Sequence, residues 1–108
     1  MTMDGNVLVL SGTVDEHTLA ALRGMLTGLA STGRPVVVDL GDVDYLPSAG
    51  IGVLAEARTA ALEQGGTFTL VAPEGKPAQR VLEITGFPHV TSRQHSPGAG
   101  DGPGSAAG

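Results

Sequence analysis

The spacing of three apolar runs constrains this chain more than any other feature. Asn6 to Ser11 (NVLVLS), Pro35 to Leu40 (PVVVDL) and Thr67 to Ala72 (TFTLVA) are rich in Val, Leu and Thr and are flanked by Gly or Pro, the pattern of strands. The intervals between them are too long for hairpin turns and long enough for helices. In the first interval Leu19, Leu22, Leu26 and Leu29 recur at spacings of three, four and three, which places them on one face of a helix. Asp15 or Thr13 can cap its start, and Gly33 with Pro35 closes it. The second interval predicts a helix over residues 48–64, stopped by Gly65-Gly66. A third, shorter helix is predicted over 76–85, with Pro77 in its first turn and Gly86 just past its end. Phe87 to Thr91 reads as a last short strand or an extended end.

Strands alternating with helices require crossover connections. The expectation is one α/β domain with a mixed, mostly parallel central sheet and helices packed on it. Its continuous valines put PVVVDL near the middle of the sheet, buried on both faces. Gly12 is expected to end the first strand, and Gly41 to Pro47 to form a connection.

Composition narrows the function classes. With 108 residues there is material for one domain and not for two. Only 3% of the chain is aromatic, so the core must be built from Val, Leu, Ile and Ala. The absence of cysteine removes disulfides, thiolate metal sites and cysteine catalysis. The opening MTMDGNVLVLSG has no basic start and no long apolar run, so no secretory signal is expected, and no stretch approaches the ~20 apolar residues of a membrane span. A soluble cytoplasmic protein is the expectation, with no membrane partner. The net charge of -5, with six scattered basic residues, argues against nucleic acid. Residues 93–108 (RQHSPGAGDGPGSAAG) hold no large apolar side chain; they are expected to be a disordered tail beyond a folded domain at residues 4–91.

The stretch Asp44 to Leu54 (DYLPSAGIGVL) concentrates the residues with chemical potential. Ser48 can be read as the N-cap of the second helix or as part of a functional site at a helix start, where free N–H groups and the dipole favour an anion. A nucleophile elbow would need Gly where Leu46 stands, and no histidine is paired with Ser48 by sequence, which disfavours a serine hydrolase. Gly50-Ile51-Gly52 is half of a dinucleotide fingerprint, with no basic residue in the loop. Asp39, Asp42 and Asp44 read either as a solvated turn or as hard-cation ligands; neither a metal nor a cofactor is expected. Ile51 reads equally as a core residue or as a knob for a partner.

The run VVVDLGDVDYLPSAGIGVLAEA resembles the signature of STAS domains, in particular that of bacterial anti-sigma factor antagonists. Their core reads roughly as a strand, Asp-Leu-x-x-Val-x-Phe, Asp-Ser-Ser-Gly-Leu-Gly and an apolar helix. Asp39, Leu40, Val43, Tyr45, Ser48, Gly50, Ile51, Gly52, Val53 and Leu54 fit it. Gly12 and Asp15 match an early turn of the family, and Leu82, Gly86 and Phe87 match its end.

The resemblance implies a non-catalytic binding protein. Such antagonists bind an anti-sigma factor, usually a GHKL-type serine kinase, and so release a sigma factor for transcription. That kinase ends the interaction by phosphorylating a Ser or Thr directly before the first glycine. On this chain the implied contact surface takes Asp15 from the early turn, Asp44 and Pro47 from the loop, and Ser48, Ala49, Gly50, Ile51 and Gly52 from the helix start. The sequence departs from the family in two places: Pro47 replaces the acidic residue before the hydroxyl pair, and Ala49 occupies the acceptor position. Ser48 is the one hydroxyl left to serve as phosphoacceptor. An accessory STAS subunit of another signalling or transport complex is the alternative within the fold. Association into a homodimer is left open.

Overall fold

The structure is a computed structural model, and it describes residues 1–92. Residues 93–108, where the tail is expected, lie outside the described residues. The chain runs β1 (Thr2–Asp4), β2 (Val7–Thr13), α1 (Glu16–Ala30), β3 (Val36–Tyr45), α2 (Ser48–Glu63), β4 (Phe68–Val71) and α3 (Pro77–Thr85). The strands form one sheet in the order β1-β2-β3-β4. β1 is antiparallel to β2, whereas β2-β3 and β3-β4 are parallel. This is a single domain with three helices on a four-stranded mixed sheet, as the alternation of strand and helix patterns predicts.

β1 is absent from the sequence reading. It is a three-residue exposed strand, joined to β2 by Gly5 and Asn6, with Asp4 paired to Val7 and Gly5 at φ 61°. A two-residue loop with a positive-φ glycine first is a regular hairpin solution. At the other edge Val90 bridges Val71 in parallel; its N–H donates to the Leu70 carbonyl and its carbonyl accepts from the Ala72 N–H, both at 2.8 Å. The extended end expected over 87–91 therefore docks on β4.

Two strands outrun their expected ends. β2 continues through Gly12, which sits at φ 75°, and β3 continues from Leu40 to Tyr45. Register shifts mark the reason. Val9 faces Asp39 but Ser11 faces Asp42, and Gly12 faces Val43 but Thr13 faces Tyr45. At each shift β3 carries one residue more than β2, the mark of a β-bulge. Gly41, expected in a connection, is thus inside a strand. The Asp39 carboxylate accepts from the Gly41 N–H at 2.8 Å.

Burial along β3 alternates rather than covering both faces, which corrects the expectation from the valine run. Val36, Val38 and Leu40 are buried while Val37 and Asp39 are half-buried. One cluster joins Leu8, Leu10, Val36, Val38, Leu40 and Leu70 to buried residues of all three helices. Val7, Val9 and Val37 stay outside it. The helices therefore share one face of the sheet, the arrangement that repeated right-handed crossovers between neighbouring strands produce.

The helices are built as their patterns require. In α1, Leu22 and Leu26 are buried, with Leu19 and Leu29 packed partly against the core. α2 buries Val53, Leu54, Ala57 and Ala61. Truncating a fully buried leucine such as Leu54 to alanine typically costs about 2–5 kcal/mol. α3 ends on Gly86 at φ 74°, with the Phe87 N–H donating to the Leu82 carbonyl at 3.0 Å, a Schellman closure that packs Phe87 on the core.

Candidate functional site

Parallel strands deliver their C-terminal ends to one rim of the sheet. At that rim β2 turns into α1 and β3 turns into α2. The Val14 N–H donates to the Tyr45 carbonyl at 3.2 Å, so the turn carrying Asp15 lies against the end of β3. The alternation of elements thus brings the Asp15 turn and the Asp44–Gly52 loop to one surface.

Asp15 is the N-cap of α1. Its Oδ1 accepts from the Thr18 N–H at 2.9 Å and from the Thr18 hydroxyl at 3.0 Å. These bonds, the backbone one foremost, hold its carboxyl below the ordinary carboxylate value, since both favour the charged form. Of the two caps the sequence offered, Asp15 is the one used.

α2 starts differently. Pro47 is its N-cap, in extended backbone with φ -76° and ψ 164°, and no side chain caps the first turn. The Pro47 carbonyl accepts from the Gly50 N–H at 2.8 Å and from the Ile51 N–H at 3.3 Å. Ser48 is the first helical residue rather than the cap, and it is exposed. Proline takes the cap position because this position needs only extended backbone and a carbonyl acceptor.

The remaining residues of the loop divide by exposure. Asp44, Ala49 and Gly52 are exposed, Pro47 and Ile51 are half-buried, and Gly50 is buried. A Cβ on Gly50 would lie 2.9 Å from Leu46 Cδ1, so this glycine lets the helix start settle on Leu46. A Cβ on Gly52 would meet nothing within 4 Å. Ile51 packs partly against the core. Tyr45 stands beside the loop with 58% of its surface exposed. In the sequence Tyr45 stands out only as a match to the family run. Its exposure depends on the bulges of β3, which residue spacing does not reveal.

Other candidate chemistries are not assembled. Asp39 is engaged with Gly41, and among the described residues no group of three or more His, Asp or Glu residues could hold a metal ion. His17 lies on α1, while the His89 ring Nδ1 donates to the Phe87 carbonyl at 2.9 Å; Ser48 bonds to neither. Among the described residues no helix is long and apolar enough to cross a membrane.

The family model described as "Mlab, STAS domain" matches residues 1–92. The chain is 30% identical over 81 residues to the "Anti-sigma-B factor antagonist" of Bacillus subtilis (strain 168), covering 75% of this chain and 73% of that protein. Its fold is similar to that of the anti-sigma factor antagonist SpoIIAA in its unphosphorylated form, with a TM-score of 0.62 at 16% identity over 83% of this chain and 82% of the other.

Proposed function

The chain belongs to the STAS-domain family, and from that premise we propose that it is an anti-sigma factor antagonist. It acts by binding an anti-sigma factor and so releasing a sigma factor. The observation that carries this reading is the 30% identity, over three quarters of the chain, to a protein named for that role. The geometry is compatible with a binding surface: the rim formed by Asp15, Asp44, Tyr45, Pro47, Ser48, Ala49 and Gly52 is largely exposed. We read the protein as a non-catalytic, cytoplasmic regulator whose partner is an anti-sigma factor of the GHKL kinase type. The folded unit, expected over residues 4–91, takes in β1 from Thr2 as well.

The partner engages the α2 start without a phosphate switch, because alanine holds the acceptor position at residue 49. Isothermal titration of the purified chain against each anti-sigma factor encoded in the same genome tests the partner; absence of binding to all of them removes the reading. Incubation with the bound kinase and ATP, followed by intact mass, tests the switch. A single added phosphate that disappears in Ser48→Ala would make Ser48 the acceptor and overturn the unswitched reading. Ala49→Ser is expected to create an acceptor where the wild type has none.

The family model carries the name Mlab rather than that of an antagonist, which keeps a second reading: an accessory STAS subunit of another signalling or transport complex. It would use the same rim, and a different captured partner separates the two.

A further inference from the structure

We draw no further inference here: the strongest candidate, the depression of 390 Å³ lined by Met3, Asn6, Leu29, Thr32, Arg34 and Val37 between the β1–β2 hairpin and the end of α1, is a largely apolar hollow with one exposed arginine at its edge, and nothing in the structure shows what covers it.

Discussion

Two helices begin at the same rim of the sheet and begin in opposite ways. α1 closes its own start: Asp15 caps Thr18 and Glu16 adds a second carboxylate in the first turn. α2 has neither a side-chain cap nor an acidic residue in its first turn. The first turn of any helix carries unpaired N–H groups and the positive end of the dipole. In α1 that potential is spent within the chain. In α2 no side chain meets it, and the exposed Ser48 and Ala49 open the turn. A helix start closed by its own side chains and one left uncapped therefore stand side by side at one rim.

The comparison breaks most easily at Ala49. Ala49→Glu puts a carboxylate on the open start, and a charge covered by a partner without a counter-ion costs several kcal/mol. Binding to the proposed anti-sigma partner is expected to fall by about two orders of magnitude or more, read by titration calorimetry. The next largest effect is on the closed start. Asp15→Ala should lower the urea midpoint with an unchanged slope, whereas Asp15→Asn should keep most of the stability because asparagine caps as well. Smaller again is the effect of Ala49→Glu on the free protein. There the new carboxylate meets the dipole and should raise stability by about 0.3–1 kcal/mol, opposite in sign to its effect on binding.

The smallest effect is that of pH. Because its hydrogen bonds with Thr18 lower the folded pKa of Asp15, its contribution is present above the ordinary carboxylate value and is lost as pH falls through the lowered one. The stability difference between wild type and Asp15→Ala should shrink across that acidic window. A difference that persists below it would mean that the cap acts without its charge.

Much of this was legible in the residues. The leucines of α1 and the Gly65-Gly66 and Gly86 stops mark helices by period and by chemistry that hold locally. The Asp15 cap was equally local. β3 was read short because Gly41, Asp42 and Asp44 have turn chemistry, and only pairing with β2 keeps them in a strand. β1 was missed because three exposed residues carry no burial pattern, although Asp4-Gly5 is a hairpin signal. Residue preference allows Ser48 as a cap or as part of a site, but the cap position goes to Pro47, whose backbone already has the shape required. The contact surface comes from the match to the family run and not from residue spacing, and it stands as a proposal.

The bulges in β3 make this strand a matter of reading frame. Burial falls on Val36, Val38 and Leu40, then on Val43, so the inside-outside count changes parity once along a single strand. Removal of Gly41 would leave Leu40 and Val43 two residues apart, so Val43 would stay on the helix side with Asp42 and Asp44 facing away. The bulge thus acts as a slack link: it absorbs one extra residue locally, and Ser11 can face Asp42 with or without it.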